Sequence, residues 1–223
     1  MTPNVPEAYL KLRREQIIGA AVSCFARKGF HKTTMQDICQ AAGLSPGAVY
    51  NYFDSKEAIV EACAEMAQER NEKMLSMVSE AEDAVSAYKK ISGAWFSMIK
   101  QENMMEGIKF DLELWAESTR NERVARSFHK VEDAIKEKLT EFVIEGQKQG
   151  VFSKKLDVTA IVQVLFSLVN GLEVQKASNP EIDVDAYATV CSAIIEGELS
   201  SKNRMNKSRK GKSKNEGTST KLN

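Results

Sequence analysis

Ala42-Gly43-Leu44-Ser45-Pro46 is the stretch that most restricts how this chain can fold. Glycine is the residue best able to end a helix in the left-handed conformation. Serine is a strong helix cap, and proline at a first helical position loses nothing because its missing N–H would have no partner there. One helix therefore stops at Gly43 and another starts after Ser45. Two helices joined by so short a turn form a helix-turn-helix, whose apolar faces can pack with a third helix into one core.

The flanking residues supply that third helix. Ile17, Ala21, Cys24 and Phe25 fall at helical spacing between about Tyr9 and Lys28, and Gly29 follows as a terminator. Thr34-Met35-Gln36-Asp37 has the cap-x-x-acid form that opens a helix. Ile38, Ala41 and Leu44 give that helix one apolar line, and Val49 and Phe53 give the next helix another, running to about Phe53. At about 100° per residue, Gly47 and Asn51 then face away from the core, flanked by Ala48 and Tyr50. Small outward residues let a helix backbone sink into a DNA major groove. Thr34 and Ser45 stand at helix N-termini, where N–H groups attract phosphate. Tyr50 and Tyr52 offer hydroxyls, Lys56 a cation, and Lys11, Arg13 and Arg14 precede the unit as a basic arm. The same helix pair also occurs in proteins as plain packing.

The rest reads as helical too. With 12 Gly and 4 Pro in 223 residues, the chain lacks the breakers an all-β fold needs. Asp54-Ser55 caps a long helix to about Val78, and weaker helices follow over about 84–101 and 105–117. Thr119 with Glu122 is expected to cap the next helix. Its stripe is Val124, Phe128, Val131, Ile135, Leu139 and Phe142, and Gly150 stops it. Asp157 caps a helix to about Ala177 that is apolar on more than one face, and a last helix spans about 184–199. No apolar run is long enough to suggest a membrane span, and no secretory leader is visible, so a cytoplasmic location is expected.

Charge is uneven along the chain. Residues 1–56 hold 7 Lys and Arg against 4 Asp and Glu, residues 57–198 hold 16 against 26, and residues 199–223 hold 8 against 1. Basic ends around an acidic middle suit nucleic acid at the ends, although solvated faces give the same count. The four cysteines and two histidines have no metal-site spacing, and no cofactor is expected. Nor is there a nucleophile, base and acid set that would suggest an enzyme.

Ile17-x-x-Ala20-Ala21-x-x-x-Phe25-x-x-x-Gly29, then Thr33-Thr34-x-x-x-Ile38, then Ala42-Gly43-Leu44-Ser45-x-Gly47-x-x-Tyr50-x-Tyr52-Phe53-x-Ser55-Lys56-Glu57 resembles the TetR family of bacterial transcriptional regulators. The resemblance covers about residues 10–60. It implies an all-α fold with an N-terminal three-helix DNA-binding domain (1–56) and a C-terminal helical ligand-binding and dimerisation domain (57–199). A basic tail, 200–223, is expected to be disordered on its composition. The resemblance also implies a homodimer formed by the last two long helices, binding a double-stranded inverted-repeat operator and released by a small-molecule inducer. It places Thr34, Tyr50, Tyr52 and Lys56 on phosphates, and Met35, Pro46, Gly47 and Ala48 towards bases. Because these last four lack strong hydrogen-bonding side chains, readout is expected to lean on thymine methyls and DNA shape.

Ligand-facing residues are expected among Trp95, Met98, Phe110, Leu114, Trp115, Phe128, Leu165, Phe166 and Val169, which are apolar and suited to a bundle interior. Plain core has the same signature. An apolar or amphipathic inducer fits such a lining. Control by a protein partner in place of a small ligand is the alternative.

Overall fold

The computed structural model describes residues 6–76, 84–101 and 104–195. The described residues form helices and turns with no strand. The helices are α1 (Glu7–Lys28), α2 (Met35–Ala42), α3 (Pro46–Tyr50), α4 (Lys56–Ser76), α5 (Ala84–Ile99), α6 (Met104–Ser118), α7 (Glu122–Lys148), α8 (Val158–Ser178) and α9 (Val184–Ile195). The expected all-α class is the observed one. The chain divides into two compact units, residues 1–182 and 183–223, and α9 lies in the second. The basic tail falls outside the described residues.

Local chemistry sets the boundaries. Thr34 caps α2 reciprocally with Asp37. The Asp37 N–H donates to the Thr34 hydroxyl at 3.1 Å, and the Thr34 N–H donates to the Asp37 carboxylate at 2.9 Å. Lys28 pairs with that carboxylate at 2.7 Å, and together these bonds hold Asp37 well below the usual carboxylate range. Gly43 ends α2 at φ 66° and ψ 30°, the left-handed well that glycine occupies without steric cost. Ser45 caps α3 by accepting the Ala48 N–H at 3.3 Å.

Three details depart from expectation. Helix α3 stops at Tyr50, not Phe53, although the Phe53 N–H still reaches the Val49 carbonyl. Helix α2 turns Ile38, Cys39 and Ala42 inward, while Ala41 is exposed. Gly43 breaks the helical register, so Leu44 does not continue the line through Ala41. Asn121, not Thr119, caps α7, accepting the N–H groups of Arg123 and Val124. The Thr119 hydroxyl instead donates back to the Ala116 carbonyl at 2.8 Å.

One core joins α1, α2, α3, α4 and α6. Ile17, Ala21, Phe25, Ile38, Val49 and Ile59 are fully enclosed there, and Phe110 and Leu114 of α6 extend it. Phe25 stacks on Phe30 at 5.3 Å and on Phe110 at 5.8 Å. In the larger unit α6 packs against α1, α7 and α8, and α7 packs against α4, α5, α6 and α8. Arg123 ties the start of α7 to α4, reaching Glu61 with two nitrogens at 2.6 and 3.0 Å and the Ser55 hydroxyl at 3.2 Å.

Helix α8 is the one described helix long and apolar enough, by length and composition alone, to cross a membrane. It buries Val162, Leu165 and Leu172 and leaves Val164 and Val174 exposed. Apolar residues on both faces raise its hydropathy above that of a helix with a single buried stripe.

Candidate functional site

The turn after Gly43 and the cap at Ser45 set α3 across the core on Val49 and Phe53 and leave its far edge in solvent. Ser45, Pro46, Gly47, Tyr50 and Asn51 are exposed, with Tyr50 at 52%, and Ala48 is half-buried. Thr34 is exposed at the start of α2, and Met35 is half-buried against the core. The residues expected to meet DNA therefore lie on consecutive pieces of chain from Thr34 to Lys56, on two helix N-termini and one outward edge. Tyr52 is half-buried and packs on the core through its ring.

The basic residues are more engaged than expected. Arg14 reaches Glu65 on α4 at 2.9 Å and lies over the Phe53 ring at 5.6 Å. Arg13 bonds Tyr9 and Gln16 on its own helix. The Lys56 ammonium donates to the Phe30 carbonyl at 2.6 Å and sits 4.4 Å above the Phe30 ring. This last contact is not legible from spacing, because both helices of the pair, α2 and α3, stand between Phe30 and Lys56 in the chain.

The residues expected around a ligand do not converge on one lining. Phe110, Leu114 and Phe128 pack on the core shared with α1. Trp115 is 53% exposed: it follows Leu114 by one residue, and the helical rotation carries it round to the outer face of α6. Trp95, half-buried, meets Phe96 edge-on at 5.3 Å. Met98 and Val169 are half-buried, Leu165 is buried, and Phe166 is half-buried with the Lys136 ammonium 4.9 Å above its ring. An open groove of about 810 Å³ runs along α7 beside Arg126, His129, Lys130 and Asp133, and none of these apolar residues lines it.

A polar cluster that periodicity did not single out is Asp111 of α6 with Glu173 of α8 and Arg70 of α4. Burial, then repulsion from Asp111, pushes the Glu173 carboxyl up to about 8, and Arg70 draws it back. Burial likewise pushes Asp111 up to about 6 against the pull of Arg70. Asp111 remains open to water on one side, which screens its charge, so Glu173 carries the larger share of the effect. A carboxyl raised by folding makes the folded chain bind more protons than the unfolded one, here between an ordinary value of 4.5 and about 8. Stability is then expected to fall as pH rises through that range. Glu173→Gln is expected to melt with wild type near pH 5 and above it at pH 8, as read by thermal scans across pH.

Residues 17–63 match the family described as bacterial regulatory proteins, tetR family, and residues 93–200 match the BetI-type transcriptional repressor C-terminal family. The chain belongs to the TetR family. It is thus a DNA-binding transcriptional regulator with a helix-turn-helix, and α2 and α3 are that motif. The regulator is 26% identical over 159 residues to the HTH-type transcriptional regulator UidR of Escherichia coli K12, covering 71% of this chain and 79% of that one. Two solved structures share its fold. FadR from Bacillus subtilis, solved in complex with stearoyl-CoA, has a TM-score of 0.70 at 23% identity, over 83% of this chain and 99% of that one. A transcriptional regulator from Saccharomonospora viridis, solved in complex with choline, has a TM-score of 0.69 at 22% identity, over 83% and 96%.

Proposed function

We propose that this TetR-family regulator is a repressor that binds an inverted-repeat operator as a homodimer in the cytoplasm and leaves it when a small molecule binds the helical domain, residues 57–199. The exposed edge of α3 carries the DNA half of this reading: Gly47, Ala48 and Asn51 present little bulk, and Tyr50 projects beside them. Such an edge fits a major groove, with Thr34, Tyr50 and Tyr52 placed for phosphates and Met35, Pro46, Gly47 and Ala48 for base edges.

Support for an apolar or amphipathic inducer comes from Trp95, Met98, Phe166 and Val169, which are all partly buried and apolar. FadR with its stearoyl-CoA is a relative of that kind. Glu173, half-buried, and Asp111 beside it are two carboxyls only partly balanced by Arg70, and they support a positively charged group on the ligand, as choline carries in the Saccharomonospora viridis protein. Ligand releases DNA only if it binds the non-reading conformation more tightly.

The test is enrichment of duplexes from a random-sequence pool by the purified chain, followed by competition with choline and with a long-chain acyl-CoA. Enrichment of a two-fold symmetric sequence is expected. An inducer is expected to lower retention and to shift Trp95 emission, Trp115 serving as the solvent-facing reference. A pool that enriches no sequence would remove the DNA half of the reading. Release that leaves Trp95 emission unchanged would place the ligand elsewhere.

A further inference from the structure

The turn between α1 and α2 is held by its backbone from two helices outside the helix-turn-helix. Phe30 is the residue held. Its N–H donates to the Glu113 carboxylate of α6 at 3.2 Å, and its carbonyl accepts from the Lys56 ammonium of α4 at 2.6 Å. Its ring is buried, stacked on Phe25 and covered by Lys56. Gly29 lets α6 come this close. A Cβ there would lie 3.1 Å from the Glu113 carboxylate, and the backbone stands at φ 79°. One residue on, His31 Nε2 lies 2.8 Å from the carboxylate of Glu117, itself 2% exposed and bonded by Arg120. The Thr33 hydroxyl closes the turn by donating to the Gly29 carbonyl at 2.8 Å. Thr34 then caps α2.

Lys56 is at an awkward place for a cation. It opens α4, where the positive end of the helix dipole repels an ammonium. A carbonyl oxygen and an aromatic face offset that repulsion, and both come from Phe30. The contact engages one of the three ammonium N–H groups and holds the ammonium against the Phe30 turn.

We propose that the Phe30 turn is the joint through which α6 and α4 set the position of the helix-turn-helix, and that Lys56 serves DNA binding by positioning this turn and not by neutralising a phosphate. Three residues separate Phe30 from Thr34, so a shift of α6 that draws on Glu113 passes to the start of α2 through a short, internally bonded turn. The inference rests on the DNA-binding reading and refines it.

Salt dependence separates the two roles. A lysine on a phosphate contributes about 0.9 to the slope of log affinity against log salt, and its loss makes the slope shallower. A positioning lysine changes affinity and leaves the slope alone. The experiment uses the full chain and a duplex enriched from the random pool. Lys56→Met is expected to weaken binding about tenfold at an unchanged slope. Lys56→Gln, which keeps an N–H for the Phe30 carbonyl but drops the charge, is expected to recover most of that loss. It also answers the question alone if Lys56→Met does not fold. The double variant Lys56→Met with Glu113→Gln is expected to bind about as weakly as the weaker single variant, since both release one turn. A shallower slope in Lys56→Gln, or strictly additive losses in the double variant, would overturn the joint while wild-type DNA binding still stands. A wild-type chain that enriches no duplex would overturn both.

Discussion

Phe25→Ala is expected to destabilise the chain by about 3–5 kcal/mol, the cost of removing a fully enclosed aromatic ring whose neighbours cannot close the gap. Phe25 is at 0% exposure, between the rings of Phe30 and Phe110. These are the core contacts of α1 with the Phe30 turn and with α6, so the cavity opens where the DNA-reading helices meet α6. Typical domains are stable by about 5–15 kcal/mol, so the loss removes much of the total. Urea denaturation followed by circular dichroism reads it as a lower midpoint. A midpoint within error of wild type would mean the site can collapse around the smaller residue.

Val164→Glu is expected to have the largest effect on DNA binding without touching the helix-turn-helix. Val164 is 57% exposed on α8, and Leu168, one turn on and near the same face of the helix, is half-buried. An apolar stripe of this kind on a water-exposed helix is the pattern that pairing of subunits covers. A carboxylate there is expected to give monomers in analytical ultracentrifugation. Operator affinity is expected to fall by about 10²–10⁴, the gain that linking two half-site contacts provides. Leu172 would be a poor probe of the same idea, although the sequence makes it look equivalent. It is fully buried within its own chain, so a charge there is expected to unfold the protein before it separates subunits. A Val164→Glu variant that sediments as wild type would locate the interface elsewhere.

The DNA-reading half was legible because its signals are local. Thr34 with Asp37, Gly43, and Ser45 with Pro46 each fix backbone geometry within a few residues, and each appears where expected. Ala41 was misplaced for a reason of the same scale: it lies three residues after Ile38, on one side of it, and the buried face of α2 runs to the other side, through Cys39 and Ala42. The cap of α7 was missed because Thr119 and Asn121 both suit that role and only the end of α6 decides between them. The ligand half was far less legible. Phe110, Leu114 and Trp115 are neighbours in sequence with similar apolar character, yet two enter a core shared with α1 and the third faces water. Which side of α6 turns inward depends on α1, nearly a hundred residues away. Asp111 and Glu173 were harder still, since a carboxylate in sequence carries no sign of whether tertiary packing will desolvate it.

The brevity of α3 has a consequence for how a genome can be searched. A helix of five residues, opening with proline and glycine, offers side chains to about three or four base pairs. A word of four letters recurs by chance about once in 250 base pairs, so a bacterial chromosome contains thousands of copies. Reading one such word is no address. Two words at a fixed separation multiply their information, and the separation itself becomes part of the message. The distance between two reading heads then governs which genes are found as much as the chemistry of either head.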